Sequence, residues 1–196
     1  MKKFRPLVLL SVGLLSAAGL TPVARAKTPV VVTPVASDRP VDLDVGDLQM
    51  VAEFEQQVVG VAVSASGRVF VSFPRNGIDT VKKSVMEVIN RKAVAYPNEE
   101  INTLNTAAPS THFLSAQSVF VDSSDTLWVL DVGNLGSGTA LISGGAKLVA
   151  IDLRTNAVKR TIVFPDSLIT KGTSINDVRF DLARGAAGFA YIPDSS

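Results

Sequence analysis

Two amide side chains, Gln117 and Asn176, have the type and spacing expected of a binding site. Each stands one residue before the start of a repeated strand pattern, so both would occupy the same place in successive structural units. Amide oxygens can ligate a hard cation or orient a polar ligand, and Asp177 could add a carboxylate as ligand or base. We therefore predict a ligand-binding site that contains Gln117, Asn176 and Asp177. The alternative is that the two amides hydrogen-bond the backbones of neighbouring units.

Other residue types argue against several common sites. His112 is the only histidine and the chain has no cysteine, so a zinc site or a Ser-His-Asp triad is difficult to build. We predict instead that His112 lies in a loop. The glycines between residues 133 and 145 lack the strand-to-helix context of a nucleotide-binding loop. The chain has 19 Lys and Arg residues against 18 Asp and Glu residues, and no basic run stands out. We therefore expect no nucleic-acid partner.

The elements that would position the amides come from an internal repeat. A short apolar run, a turn and a second β-rich run recur with starts at Gly60, Ser118 and Asp177, which are 58 and 59 residues apart. Turns rich in Ser, Asp and Gly between such runs are typical of β-hairpins. Residues 147–153 and 157–164 predict two further strands. One unit is therefore expected to be a sheet of four antiparallel strands.

Repeated four-stranded units of this length indicate the blades of a β-propeller. A β-sandwich is the alternative, but it gives no reason for a repeat of this period. We therefore predict an all-β chain in which residues 47–196 form roughly the first three blades, the N-terminal half of a longer propeller domain. First strands of blades line a central channel, so Gln117 and Asn176 would meet at its mouth. Residues 84–94 are the one segment whose pattern also allows a helix.

Three pairs of side chains at matching positions of the repeat are predicted to have structural roles. Asp131 and Asp194, at the ends of second strands, would cap turns. The rings of Trp128 and Tyr191, in those strands, would pack between blades. Asp122 and Asp181, after first strands, would shape the hairpin turns.

The start of the chain is typical of an export signal. Residues 1–5 are positively charged, residues 7–20 are apolar without a charge, and residues 24–26 fit a small-x-small cleavage pattern. Together these features predict a signal peptide over residues 1–26 rather than a membrane span, which needs about 20 apolar residues. An extended, proline-interrupted leader would follow over residues 27–46. We expect a protein secreted to the periplasm or the medium, with no membrane contact after cleavage.

A set of short motifs follows in order from about residue 50 to the end of the chain. They are GRVFVSFPR at 67–75, YP at 96–97, SVFVD at 118–122, LWVLDVG at 127–133, INDVRFD at 175–181 and AYIPDS at 190–195. As an ordered set they resemble the motifs of the Yellow / major royal jelly protein family. Insect members usually carry cysteines near these motifs, whereas this chain has none, which resembles the bacterial branch of the family.

The resemblance implies a six-bladed propeller, secretion, and a ligand site in or above the central channel. Asn176 also resembles the asparagine with which the related gluconolactonase / senescence-marker propellers bind a divalent metal, so Ca or another divalent cation is a candidate cofactor. The implied function is binding of a small polar or aromatic molecule in the channel. The alternatives are a metal-dependent lactonase-like hydrolase, a quinone tautomerase-like enzyme, and a structural or interaction propeller.

Overall fold

The computed structural model describes residues 48–75, 81–136, 139–170 and 172–195. Antiparallel strands dominate, in two four-stranded sheets with the orders β1-β2-β3-β4 and β5-β6-β7-β8, and one two-stranded sheet of β9 and β10. The predicted signal peptide and leader lie outside the described residues. The elements are β1 (Gly60–Val63), β2 (Val69–Ser72), β3 (Val85–Ile89), β4 (Lys92–Ala95), α1 (Glu99–Asn102), β5 (Ala116–Val121), β6 (Thr126–Val132), β7 (Ala146–Asp152), β8 (Ala157–Val163), β9 (Arg179–Asp181) and β10 (Phe189–Tyr191).

Strand pairing follows the order expected from the repeat. Within each of the two large sheets, strands that follow one another in sequence are paired, and all these pairings are antiparallel. The all-β fold class and the four-stranded unit are therefore confirmed for the first two repeats. The third repeat contributes the hairpin of β9 and β10. No helix within the described ranges is long and apolar enough to span a bilayer.

Residues 84–94 form a hairpin, so the helix that their pattern also allowed is wrong. Strands β3 and β4 pair directly, and the two residues between them, Asn90 and Arg91, have φ values of 50° and 65°. Positive φ at both central residues is what a two-residue type I′ hairpin turn requires. The β-branched residues of this segment favour strands, and the turn allows them to pair. The described helix is α1, a single turn that the sequence pattern did not predict.

Strand β6 explains why the motif at 127–133 is almost wholly apolar. Successive side chains of a strand point to opposite faces. Leu127 and Val129 belong to the core between the first and second sheets. Trp128 and Leu130 belong to the core between the second sheet and the β9–β10 hairpin. Both faces of this strand are therefore covered, and a continuous apolar run results.

The aromatic pair has two different outcomes. Trp128 packs against Phe180 of β9 with 4.7 Å between ring centroids, and its indole N–H donates to Asp122. Packing between units is thus confirmed for Trp128. Tyr191 is 40% exposed, and its hydroxyl accepts a hydrogen bond from Arg184. Its neighbour Ala190 packs on the second sheet, which turns Tyr191 to the opposite face. No unit beyond β9 and β10 is described on that face, so packing between units stays a prediction for Tyr191.

The four carboxylates predicted to shape turns all accept hydrogen bonds from backbone N–H groups. Asp122 accepts two within its hairpin, and Asp181 accepts one. Asp194 accepts one from the segment that precedes β9. Asp131 accepts three and also contacts Lys147. Turn capping is therefore confirmed for Asp131, through the N–H of Gly133, and stays a prediction for Asp194. The contact with Lys147 also makes Asp131 part of a buried ion pair that the motif did not reveal.

Arg68, the residue before β2, joins the first two sheets. Its guanidinium donates two hydrogen bonds to Glu87, at 2.7 and 2.9 Å. It also donates to the Leu153 carbonyl and to Asn156 of the second sheet. The paired Glu87 raises the pKa of Arg68. Tyr96 lies beneath the guanidinium, with 5.2 Å between the guanidinium carbon and the ring centroid, and donates its own hydroxyl proton to Asn156.

Tyr96 is expected to titrate above the ordinary tyrosine pKa of 10.0, because burial disfavours the phenolate more than Arg68 favours it. Since the folded protein holds the proton more tightly, the stabilisation is complete below the unfolded pKa of about 10 and is lost as pH rises beyond it. Phenolate absorbance against pH checks this. The highest-pH step should be missing from Tyr96→Phe, whereas a step that survives in this variant would contradict the assignment.

Candidate functional site

The first strands of the three units surround a concavity of ≈ 590 Å³. One wall is residues 59–63, which include all of β1, and the next is residues 117–121 of β5. Asn176, Asp177 and Arg179, at the start of the third unit, complete the described lining. This is the position in which the repeat predicted a channel. The sequence-predicted site residues therefore lie together at the described wall of one concavity.

The two predicted amides are direct neighbours. Nε2 of Gln117 donates to Oδ1 of Asn176 at 3.0 Å. The next residue along each segment repeats the connection, because the Ser118 hydroxyl donates to Asp177 at 2.8 Å. Two adjacent side chains of the second unit thus hydrogen-bond two adjacent side chains of the third. Among the described residues, each of these two amides hydrogen-bonds the other side chain and not a backbone group of the neighbouring unit.

Asp177 is already well supplied with donors. Its Oδ1 atom accepts from Ser118, from the backbone N–H of Val178 at 2.8 Å and from the Arg179 guanidinium at 2.7 Å. Arg179 was not among the predicted site residues, although it lines the concavity and its side chain is 64% exposed. Its guanidinium carbon also lies 5.9 Å from the ring centroid of Phe120. The signal for it was its position two residues after Asp177, on the same side of the strand.

The first unit has no polar side chain at the matching positions, where Val59 and Gly60 stand. A Cβ at Gly60 would lie 2.5 Å from the Ser72 hydroxyl and 3.0 Å from the backbone nitrogen of Val119. The hydroxyl of Ser72 accepts from the Gly60 N–H at 3.0 Å and donates to the Gln117 carbonyl at 3.3 Å. Glycine therefore allows β1 and β5 to approach closely, with Ser72 between them.

An apolar wall supplied by the first unit forms part of the same concavity. Val59, Val61 and Val63 line it and are 40%, 61% and 58% exposed. Exposed apolar surface that is gathered in a concave site is typical of a place where a ligand is buried. The concavity thus combines a valine wall with an amide pair and an Asp177–Arg179 ion pair. Such a site can hold a molecule with an apolar body and a polar edge.

The residues around Asn176 do not provide an adequate set of metal ligands. Within the described ranges, no three His, Cys, Asp or Glu side chains come together. The oxygen of Asn176 accepts a hydrogen bond from Gln117, and Asp177, the one carboxylate of the described lining, already accepts from three donors. His112 lies in the predicted loop, where its Nδ1 contacts the Thr111 hydroxyl and the Ala108 carbonyl. We derive no metal-dependent step from these residues.

Four-stranded antiparallel sheets that pack face to face, with their first strands around a shared concavity, are the arrangement of propeller blades. Residues 114–196 match the family model described as Major royal jelly protein. The resemblance to the Yellow / major royal jelly protein family is therefore confirmed for this segment, which includes Gln117, Asn176 and Asp177. Comparison with curated proteins gave no match.

Proposed function

We propose that this protein is a secreted, Yellow-like propeller that binds a small polar or aromatic molecule in a central channel. The single observation that carries the proposal is the concavity of ≈ 590 Å³, which has the size of ordinary small-molecule sites. Its first-strand walls combine exposed valines with convergent polar side chains. A ring of six blades would continue this wall around the ligand. Export rests on residues 1–26, and N-terminal sequencing of the secreted protein is expected to begin at Lys27.

Binding is a better fit than metal-dependent hydrolysis for the described wall. Among its lining residues Asp177 is the one carboxylate, and three donors already engage its Oδ1 atom. A general base needs a carboxylate that can reach the reacting proton with a suitable pKa. An amide pair beside a valine wall suits orientation of a bound molecule instead.

A bulky charge at Val61 is expected to weaken ligand binding. A panel of small polar and aromatic compounds is screened by thermal shift against the full chain, and hits are titrated by calorimetry. Val61→Arg should reduce the affinity of every channel ligand at least about tenfold, because burying the guanidinium or displacing it costs more than 1.4 kcal/mol.

Val94→Arg is the matched control. Val94 is 47% exposed on β4, the strand farthest from the channel in its sheet, so the same substitution there should leave binding unchanged. Hits that bind Val61→Arg as tightly as Val94→Arg would place the ligand elsewhere and overturn the proposal.

A further inference from the structure

The Gln117–Asn176 pair keeps hydrogen-bonding capacity for a third partner. A side-chain amide has one carbonyl acceptor and two N–H donors. The bond between the pair uses one donor of Gln117 and the carbonyl of Asn176, and neither side chain bonds any other described residue. The acceptor Oε1 of Gln117 and the donor Nδ2 of Asn176 are therefore both left over in the lining of the concavity, in addition to the second N–H of Gln117.

This pairing of one acceptor with one donor holds for either orientation of the two amides. If both amide groups are rotated by half a turn, Asn176 donates to Gln117, and the leftover groups become a carbonyl on Asn176 and an N–H group on Gln117. In each case one residue offers an acceptor and its neighbour offers a donor. The complementary ligand edge carries one N–H and one C=O.

The charges in the concavity are balanced. Asp177 and Arg179 are the charged residues among its described lining residues, and they pair with each other at 2.7 Å. A charged ligand would have to compete with that ion pair, whereas a neutral one leaves it in place. The exposed side chains of Val61 and Val63 offer apolar contact to a flat body.

We infer that the channel takes a neutral, planar molecule with an N–H and a C=O on one edge, the edge of a lactam or another cyclic amide. This inference rests on the proposed function, since it specifies the ligand of the same site. A lactone of the same shape offers two oxygen acceptors and no N–H, so it leaves the amide carbonyl unpaired. Sites that hydrogen-bond an N–H group reject analogues that lack it.

The test uses two probes that differ only at that edge. In 2-quinolinone an N–H group replaces the ring oxygen of coumarin, and the two are otherwise matched in size and planarity. Calorimetry on the full chain is expected to give about tenfold tighter binding of 2-quinolinone, the ratio expected for one hydrogen bond in a partly open site. Gln117→Met keeps the length of the side chain and should bring the ratio close to one.

Gln57→Met is the matched control, because Gln57 is exposed and outside the lining of the concavity; it should keep the tenfold ratio. An unfolding midpoint of Gln117→Met equal to that of the control shows that both variants are folded. Asn176→Leu removes the other half of the pair and provides a second variant, for which the ratio should also fall to about one.

If the protein binds the two probes with equal affinity and Val61→Arg loses binding of both, the inference is overturned. The proposal that the channel binds small molecules would then still stand. A ratio that survives in both Gln117→Met and Asn176→Leu would also overturn it, since the edge would then be recognised by other groups. Failure of both probes to bind would overturn the inference as well, and the compound panel against Val61→Arg would decide the proposed function separately.

Discussion

Replacing Lys147 with methionine is expected to lower the free energy of unfolding by about 3–5 kcal/mol, the cost of breaking a buried ion pair. The side chains of Lys147 and Asp131 are both 0% exposed, with 2.8 Å between Nζ and Oδ2. Methionine fills a similar volume but supplies no charge and no donor. The variant therefore leaves the Asp131 carboxylate buried without its counter-ion. Denaturant unfolding near pH 7 measures the effect.

The position of the pair explains why the effect should be large. Asp131 also accepts hydrogen bonds from Leu114, Ser115 and Gly133, and Lys147 donates to the Gly145 carbonyl at 3.0 Å. The pair thus holds the segment before β5 against β6 and β7. Because the backbone N–H groups keep the carboxylate in place, it cannot turn toward solvent when Lys147 is removed.

Arg154→Met serves as the control for Lys147→Met. It removes an ion pair with Asp152 in which the Arg154 side chain is 84% exposed, so the expected loss is at most about 0.5 kcal/mol. A loss below about 1 kcal/mol in Lys147→Met would contradict the buried pair, because an isolated buried charge costs several times that.

Arg75→Met is the second substitution expected to be severe, with a loss of about 2–4 kcal/mol. Arg75 is 4% exposed, and its guanidinium donates only to backbone carbonyls. Without it, three buried acceptors and one partly buried acceptor lose their donor, and a buried acceptor costs about 1–3 kcal/mol when left unpaired. The carbonyls belong to Phe113, Leu114, Lys82 and Asn102.

The expected loss is smaller than the sum over four carbonyls because the charge itself is costly to bury. Burial lowers the pKa of Arg75 below its ordinary value, and the Coulomb attraction of Asp131 offsets this only in part. Methionine relieves that desolvation. Arg75→Lys keeps the charge but concentrates its donors at one point, so it should restore part of the loss. If Arg75→Lys is no more stable than Arg75→Met, the carbonyl contacts are not what stabilises the fold there.

The proximity of Gln117 and Asn176 could be predicted because it depends only on the repeat. Equivalent positions of successive units meet around a common axis whatever their side chains are. Gly60 could not be recognised in the same way. Its role depends on the distance between β1 and β5 and on the hydroxyl of Ser72, which comes from a different strand. Repeat spacing contains no information on how closely two backbones approach.

The Lys147–Asp131 pair was within reach of sequence reasoning but needed the strand register. The two residues are direct cross-strand partners of β6 and β7, and opposite charges at such positions commonly pair. A lysine among apolar residues is more often an exposed side chain. That Lys147 is buried becomes clear only from the structure, in which both faces of the second sheet are covered. The hairpin at residues 84–94 was similarly hidden, since Arg91 is an unusual residue for a turn position with positive φ.

The two-faced packing of β6 has a mechanical consequence. Leu127 and Val129 pack against the first sheet, while Trp128 and Leu130 pack against the β9–β10 hairpin. The backbone of β6 is therefore all that separates these two packing interfaces at this point. A close-packed interior transmits displacement rather than absorbing it. We therefore expect a shift of the first sheet to be transmitted through β6 to the β9–β10 hairpin, and with it to the polar side chains around the concavity.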